Sequence, residues 1–409
     1  MDRIGGEVSL DESKKGIYID WILVTTVTLI VLFGLIMIYS ASFVQGYEKF
    51  DNIAYFFQRQ LMWIIISTVF FTFFMFFPYR HYRKLSFWIV FFSAVALILV
   101  KVPGVGHSVN GAERWIVLFG FQIQPSEFVK LGSIIYLAYV YSRKQAFIDK
   151  FFSGVLPPLV VIIGFFLLIM MQPDLGTATS IVIVAGLIAF CSGAKKIHLI
   201  SLGSLAAWAI YYYAQSETYR LNRLIGYRTP FELEASEGLQ LVQSYIAIAH
   251  GGLTGAGLGQ SVQKLFYLPE AHTDFILAIV SEELGLLGLG FVFTCMFIII
   301  IRGIIIGSRC KDAFGSLLAY GIVFQLSVQV FFNAGAVSGL LPITGIPFPF
   351  ISYGGSSLLV TIISMGILVN VSRKNERDSR ENREEEVVVK DEVAATKEST
   401  GRGKLRPVR

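Results

Sequence analysis

The sequence predicts an all-α polytopic membrane protein with about ten transmembrane helices and a large extracytoplasmic loop between helices 7 and 8. Of the 409 residues, 54% are hydrophobic and 15% are charged, whereas soluble domains carry roughly 25% charged residues. Apolar runs recur along the chain, and each is close to the ~20 residues that cross a hydrocarbon core of ~30 Å. We place these spans at residues 21–41, 57–77, 85–102, 126–142, 154–172, 177–192, 197–214, 273–305, 314–338 and 350–372.

The basic residues predict the orientation of the spans. Alternate short loops carry the clusters Arg80–Lys84, Arg143–Lys150, Lys195–Lys196 and Arg309–Lys311. Because cytoplasmic loops are enriched in Lys and Arg, we expect these loops and the polar N-terminal segment 1–20 in the cytoplasm. The loops that then face outside are residues 42–56, 103–125, 215–272 and 339–349.

The remaining composition excludes several classes of protein. Most Lys and Arg residues lie in the short clusters between spans, so the net charge of +5 does not indicate nucleic-acid binding. Cys191, Cys295 and Cys310 lie within or beside spans and lack the paired spacing of a disulfide framework or a metal site. Residues 373–409 are charged and lack aromatic residues, which predicts a disordered cytoplasmic tail.

The strongest functional candidate is Asp274, in the stretch LPEAHTDFILAIVSEELG. This acid lies where a long polar loop meets an apolar helix, and carboxylates at such a boundary are costly and often functional. The structural alternative is a helix N-cap, for which Thr273 is a rival. Glu282 and Glu283 follow two turns later, where packing through inward hydrogen bonds is the alternative to function. His272 is two residues from Asp274, so a relay between them is not expected.

Two other outward segments carry charged residues. Arg114 forms an interface pair with Trp115, after an Asn110-Gly111 turn signal. Glu127 and Lys130 are spaced i, i+3, so they form either a structural ion pair or a charged lining of a polar cavity. In MQPDLGTA, Asp174 is predicted to cap the sixth span.

The long outer loop 215–272 contains an amphipathic pattern followed by glycines. Helical spacing of Leu239, Val242, Ile246 and Ala249 predicts a helix on the outer surface. The segment HGGLTGAGLGQS lacks the Gly-Lys-Ser/Thr ending of a phosphate loop. Its glycines therefore indicate close approach of the backbone to a ligand or helix, or a hinge.

Prolines interrupt the region between the last two spans. In GLLPITGIPFPFISYGGSS, Pro342, Pro347 and Pro349 preclude a regular helix. Irregular backbone at membrane depth is tolerated only where it is buried in protein or lines a cavity. We expect this segment to wall the same outer cavity as Asp274.

Six motifs in order resemble the SEDS family, the FtsW/RodA/SpoVE proteins of bacterial wall synthesis: NGAERW, QPSEFVK, QPDLGT, HGGLTGAGLGQS, LPEAHTDFILAIVSEELG and LPITGIPFPFISYGGSS. The resemblance implies a ten-span fold in the bacterial cytoplasmic membrane and a peptidoglycan glycosyltransferase that polymerises lipid II. It also implies a class B penicillin-binding transpeptidase and other divisome or elongasome proteins as partners, and Asp274 as the family's essential acid. The wording LPEAHTDF and the compact outer loops favour the FtsW-like branch.

The implied reaction needs a base and a stabilised leaving group. A sugar hydroxyl attacks the anomeric carbon of a lipid-pyrophosphate sugar with inversion, and we expect Asp274 to be the base. The leaving pyrophosphate needs positive charge or a divalent cation such as Mg²⁺ or Mn²⁺. The substrate-binding candidates are Arg114, Glu127, Lys130, Arg223, Lys264 and His272, and no metal ligand is evident.

Two other functions are open at this level. A lipid II flippase would place charges through the depth of a cavity, whereas these acids lie near the outer half. A non-catalytic scaffold for the transpeptidase would tolerate removal of charge at the outer end.

Overall fold

A computed structural model describes residues 18–109, 112–118, 120–215, 222 and 225–402. The elements that position the site are α1 (Trp21–Phe50), α2 (Tyr55–Phe76), α3 (Tyr82–Leu99), β1 (Gly106–Val109), β2 (Ala112–Leu118), β3 (Phe121–Ile123), α4 (Pro125–Arg143), α5 (Leu156–Met170), α6 (Leu175–Cys191), α7 (Lys196–Gln215), α8 (Leu239–Gly251), α9 (Ile276–Arg309), α10 (Ala313–Val337) and α11 (Gly355–Arg402).

Seven helices in the described ranges are long and apolar enough to cross a membrane. They contain α1, α2, α3, α5, α9, α10 and the first part of α11, which confirms a multi-pass, mostly helical protein. Three further predicted spans coincide with α4, α6 and α7. The helix α6 has 17 residues and α4 carries Glu127 and Lys130, so both are shorter or more polar than the other seven. The count of ten spans stays a prediction.

Packing places α10 and α11 inside the bundle. The helix α10 contacts α4, α6 and α9, while α11 packs along α2. The apolar part of α11 is almost entirely buried, whereas α2 and α3 leave most of their apolar surface uncovered. Val69 on α2 and Phe87 on α3 are among these exposed side chains, as expected for helices whose outer surface contacts lipid.

The expectation of an all-α protein is wrong between α3 and α4. There β1, β2 and β3 form an antiparallel sheet in that order, with Val109 opposite Ala112 and Leu118 opposite Phe121. The predicted Asn110-Gly111 turn lies outside the described residues, between the paired ends of β1 and β2. An Asn-Gly pair between two short strands is a strong hairpin signal. From the sequence, the Asn110-Gly111 pair is predicted only as a turn.

The tail also differs from the expected disorder. The helix α11 continues past the apolar stretch to Arg402. Charged residues at i, i+4 spacing pair along it, with Lys374 Nζ 2.5 Å from Asp378 Oδ1 and Arg377 Nε 2.7 Å from Glu381 Oε1. Such pairs support a helix without an apolar stripe. Composition alone gave disorder because it ignores this spacing.

The predicted helix of the long loop is present as α8, but its buried face is different. Leu241, Ser244 and Ala247 are buried against the bundle, whereas Ile246 is exposed. The Ser244 hydroxyl donates to the Val337 carbonyl at 2.8 Å, which fixes α8 to the end of α10. A hydroxyl that is hydrogen-bonded can lie on the buried face of a helix. A prediction from the spacing of apolar residues alone cannot detect this.

Candidate functional site around Asp274

Asp274 lies in the turn that precedes α9, and it is half-buried. The helix begins at Ile276, and its N-cap is Phe275, without a side-chain capping bond. Thr273 uses its hydroxyl within the turn, donating to Glu270 Oε2 at 2.7 Å. The capping alternative therefore does not explain either Asp274 or Thr273.

Two neighbouring segments hold Asp274 in place. The Asn333 side-chain amide on α10 donates to the Asp274 carbonyl at 2.7 Å and to the Ile346 carbonyl at 2.8 Å. Gly345 has φ +71°, and a Cβ at this residue would lie 3.6 Å from Asp274 Oδ2. The proline-interrupted segment thus lies directly against the carboxylate, as the sequence analysis expected.

His272 is packed among aromatic rings beside the acid. Its ring centroid lies 4.6 Å from Phe56 and 5.6 Å from Tyr353, and its carbonyl accepts from the Tyr353 N–H at 2.9 Å. Burial lowers the pKa of His272 to about 4, with a smaller opposing effect of Glu270 and a lowering effect of Lys49. The ring is therefore neutral at physiological pH. The structure gives it a packing role, and substrate binding by His272 stays a prediction.

The glycine-rich segment docks into a break in α9. Gly285 has φ 62° and ψ −155°, which interrupts the helix. The N–H groups of Ala256 and Gly257 donate to the carbonyls of Glu282 and Glu283, each at 2.9 Å. A Cβ at Gly255 would lie 2.2 Å from the Glu283 carbonyl oxygen. These glycines therefore allow close approach to a helix, one of the two roles expected from the sequence.

The two acids at this break, Glu282 and Glu283, are both buried and both accept hydrogen bonds. Glu282 accepts from the Val262 N–H at 2.9 Å and from the Ser261 hydroxyl, and His250 Nδ1 lies 3.1 Å away. Glu283 pairs with Lys264 Nζ at 2.6 Å. The packing interpretation of Glu282 and Glu283 is confirmed.

Lys264 is held inside this cluster. Its Nζ also lies 3.3 Å from Ser40 Oγ on α1 and 4.9 Å from the centroid of the Phe43 ring. Ser40 in turn donates to both carboxylate oxygens of Glu283, at 2.7 and 2.6 Å. Lys264 therefore neutralises an internal acid in this structure, and its predicted contact with pyrophosphate has no support here.

Arg114 on β2 is bound to the turn between α5 and α6. Its Nε donates to the Gln172 carbonyl at 2.9 Å, another nitrogen donates to the Pro173 carbonyl, and Nη1 lies 3.9 Å from Asp174 Oδ1. Asp174 accepts from the Thr177 N–H at 3.2 Å and caps α6, as predicted. Arg114 thus joins the sheet to this turn.

Glu127 and Lys130 form a buried ion pair in the first turns of α4. Lys130 Nζ lies 2.7 Å from Glu127 Oε2, and both side chains are 4% exposed. They line a small enclosed cavity together with Gln325 and Gln329 of α10. The structural alternative of an ion pair is therefore confirmed, whereas the cavity that the pair lines is small and mostly apolar.

The other expectations concern Arg223 and a metal ion. Arg223 lies outside the described residues. Within the described ranges, no group of three or more His, Cys, Asp or Glu side chains could hold a metal ion.

Sequence reasoning missed Asn333 and Ser40, which lie within apolar spans. Asn333 is buried and contacts the backbone of Asp274, and Ser40 is buried and contacts Glu283. A polar side chain inside a predicted span is a functional suspect. That signal was present for Asn333, but its partners were not readable.

The helices are apolar and a half-buried acid lies at one end of the bundle. These features are those of a multi-pass membrane protein with a polar site at one end of its helices. The model of the FtsW/RodA/SpoVE family, described as "Cell cycle protein", matches residues 20–377. The chain belongs to this family.

Similar sequences cover most of the chain. The "Probable peptidoglycan glycosyltransferase FtsW" of Bacillus subtilis (strain 168) is 43% identical over 365 residues, which cover 86% of this chain and 90% of that protein. "Stage V sporulation protein E" of the same organism is also 43% identical, over 87% of this chain and 97% of that protein. Sequence identity therefore does not separate the FtsW-like from the SpoVE-like branch.

Solved structures share the fold. A structure described as "Structural coordination of polymerization and crosslinking by a peptidoglycan synthase complex" has a TM-score of 0.71 and 24% identity, and the match covers 88% of this chain and 99% of that chain. The crystal structure of the Rod shape determining protein RodA of Thermus thermophilus has a TM-score of 0.65 and 24% identity, with 87% and 97% covered.

Proposed function

We propose that this protein is a peptidoglycan glycosyltransferase that polymerises lipid II into glycan strands, with inversion, at the outer face of the bacterial cytoplasmic membrane. The observation that carries the proposal is the half-buried Asp274 at the end of a multi-pass bundle, whose backbone carbonyl accepts from Asn333 and whose carboxylate faces Gly345. A relative that is 43% identical over most of the chain and is named "Probable peptidoglycan glycosyltransferase FtsW" supports the same reaction.

The proposed topology has ten spans with both termini in the cytoplasm. The match of α4, α6 and α7 to three predicted spans supports the count. The basic residues Arg83 and Lys84 lie at the opposite end of the bundle from Asp274, since α2 and α3 meet there. Because basic loops favour the cytoplasm, the Asp274 end faces outside, where lipid-linked sugars are polymerised.

In the proposed mechanism, Asp274 accepts the proton of the attacking sugar hydroxyl. The hydroxyl oxygen forms a bond to the anomeric carbon of the lipid-linked donor, and the bond from that carbon to the pyrophosphate oxygen breaks. The pyrophosphate leaves with the electron pair, so a single displacement inverts the anomeric carbon. General base catalysis of this kind contributes roughly 10²–10⁴-fold.

The leaving pyrophosphate still needs a positive partner. Arg114, Lys130 and Lys264 are each engaged within the protein, so the proposal keeps Arg223 as the first candidate. A divalent cation, Mg²⁺ or Mn²⁺, would neutralise the pyrophosphate when bound. The described residues do not assemble three carboxylate, imidazole or thiolate ligands, so no step of this mechanism uses the ion.

The proposed partners are a class B penicillin-binding transpeptidase and, through it, other divisome or elongasome proteins. Membership of the family supports this, as does the shared fold with a chain from a peptidoglycan synthase complex. The glycan strand made at Asp274 would be the substrate for cross-linking by such a partner.

The flippase alternative is less well supported. Transport of a charged headgroup calls for charged groups that are available along a cavity. The buried pairs Glu127–Lys130 and Lys264–Glu283 are each neutralised within the protein. The scaffold alternative predicts that Asp274 is dispensable.

The deciding experiment gives lipid II to the purified protein with its transpeptidase partner. Wild type is compared with Asp274→Asn and with Asp174→Asn, a control acid that caps α6. We expect strands from wild type and from the control, and a rate lower by about 10²–10⁴-fold in Asp274→Asn. Strands at the wild-type rate from Asp274→Asn would exclude the base role. Headgroup translocation in liposomes without any strands would favour the flippase.

A further inference from the structure

We propose that Asn333 is a positioning residue for Asp274. Its amide joins the backbone of the acid to the backbone of the proline-interrupted segment and so fixes the carboxylate beside Gly345. This inference depends on the proposed role of Asp274 as the base.

Both N–H donors of the Asn333 amide are used by this contact. Asn333 lies on α10, four residues before the helix ends at Val337, and it is 2% exposed. A side-chain amide carries two N–H donors. The Nδ2 atom lies 2.7 Å from the Asp274 carbonyl oxygen and 2.8 Å from the Ile346 carbonyl oxygen. One side chain therefore satisfies two carbonyl groups that belong to different segments.

These two carbonyl groups belong to segments outside regular secondary structure. Asp274 precedes the first residue of α9, and Ile346 lies in a segment without helix or strand. Buried backbone carbonyls without partners are rare because they cost free energy. Removing the Asn333 amide frees both segments at the point where they meet.

The clamp acts on the geometry of the carboxylate. Holding the Asp274 backbone fixes the point from which its side chain extends. Gly345 faces Oδ2 of Asp274, since a Cβ on this residue would lie 3.6 Å from that oxygen. A displacement of about 1 Å at a reacting group can cost ~10²-fold in rate. Asn333 touches no reacting atom in this proposal and acts through Asp274.

The chain contains a matched control at the other end of the bundle. Asn370 on α11 is also buried, accepts from the Tyr79 N–H at 2.9 Å and donates to the Met75 carbonyl at 2.8 Å. It too joins two backbone segments through one amide. At about 1.5 Å per residue it lies roughly 22 Å along α11 from Gly355, so it holds structure without reaching the acid.

The test uses the full chain with its transpeptidase partner and lipid II. Asn333→Ala, Asn370→Ala and Asp274→Asn are compared by kcat, by KM for lipid II and by thermal midpoint. We expect both asparagine variants to lower the midpoint to a similar extent. Only Asn333→Ala should lower kcat by roughly 10–100-fold, with KM for lipid II within about twofold of wild type. A purely structural role would affect the two variants equally.

Each outcome decides the matter. If Asp274→Asn is inactive and Asn333→Ala keeps the kcat of Asn370→Ala, the positioning role is wrong while the base role stands. If Asp274→Asn polymerises lipid II at the wild-type rate, the base role fails and the positioning role with it. Should Asn333→Ala not be recovered from membranes, Asn333→Asp keeps the shape but turns a carboxylate toward two carbonyl oxygens. A wild-type kcat in that variant would overturn the proposal.

Discussion

The two ends of the bundle differ in the regularity of their helices and in the burial of their ion pairs. At the Asp274 end, α9 is broken at Gly285, and the Lys264–Glu283 pair is buried. At the other end, α10 begins with Asp312 as a regular cap, and Arg83 pairs with that acid while partly exposed. Broken backbone and buried charge are costly and concentrate at functional sites. The two ends therefore differ in how these two acids are paired, since Glu283 is buried with Lys264 and Asp312 is partly exposed with Arg83.

The largest expected difference between the ends is in how much their ion pairs contribute to the free energy of unfolding. Lys264→Met leaves Glu283 charged and buried, and breaking such a pair costs about 3–5 kcal/mol. Arg83→Met removes a partly exposed partner of Asp312, for which about 0–1 kcal/mol is expected. Thermal midpoints in detergent measure both.

The control for this comparison is Lys264→Met combined with Glu283→Leu. Replacement of both partners removes the uncompensated charge, so most of the lost stability should return. Equal midpoints for Lys264→Met and Arg83→Met would contradict the distinction between the two ends.

The second difference concerns the pH dependence of stability. Because the pKa of His272 is lowered from 6.5 to about 4, the unfolded chain binds a proton below pH 6.5 that the folded protein does not accept until about pH 4. The contribution of His272 to the free energy of unfolding should therefore have its full value above pH 6.5. It should decrease by on the order of 3 kcal/mol as the pH drops toward 4.

His272→Phe keeps an aromatic ring between Phe56 and Tyr353 and should flatten this slope in melts recorded from pH 7 to pH 4. The control is His81→Gln, which replaces an exposed ring beyond the end of α2. An unchanged slope in His272→Phe would show that other groups control acid sensitivity.

A third difference is the cost of adding one methyl group where the backbone is close-packed. Gly255 and Gly259 both have φ near +80°, but a Cβ at Gly255 would lie 2.2 Å from the Glu283 carbonyl oxygen, and nothing lies within 4 Å at Gly259. Gly259→Ala should cost only the left-handed backbone strain of about 1–2 kcal/mol. Gly255→Ala should cost about 1–3 kcal/mol more. Similar melting of the two variants would argue against docking of this segment into α9.

The smallest expected effect is in the helical tail beyond the opposite end. Arg377→Ala removes an exposed pair with Glu381, and exposed pairs of this kind contribute little to stability. The thermal midpoint of the whole protein should stay within error, while the helical circular dichroism signal decreases slightly at low salt. A loss as large as that of Lys264→Met would mean that the tail supports the bundle.

The sequence predicted contacts within one segment better than contacts between segments. Asp274 was a candidate because an acid at the start of an apolar run is unusual, and this can be seen in the sequence without a structure. The cap on α6 by Asp174 and the Glu127–Lys130 pair were also predictable, since their partners lie three residues away. The partners of Lys264 and Arg114 were not, because they come from other segments of the chain.

The sequence by itself determined the membrane class, the approximate bounds of the helices and the acid at the end of one of them. These follow from apolar length and from local spacing, which are properties of a single segment. Only the tertiary structure decided that Ser40 meets Glu283, 243 residues away, and that Asn333 holds the backbone of Asp274. Hydrogen bonds between segments depend on how helices pack, and packing is set by all the helices together.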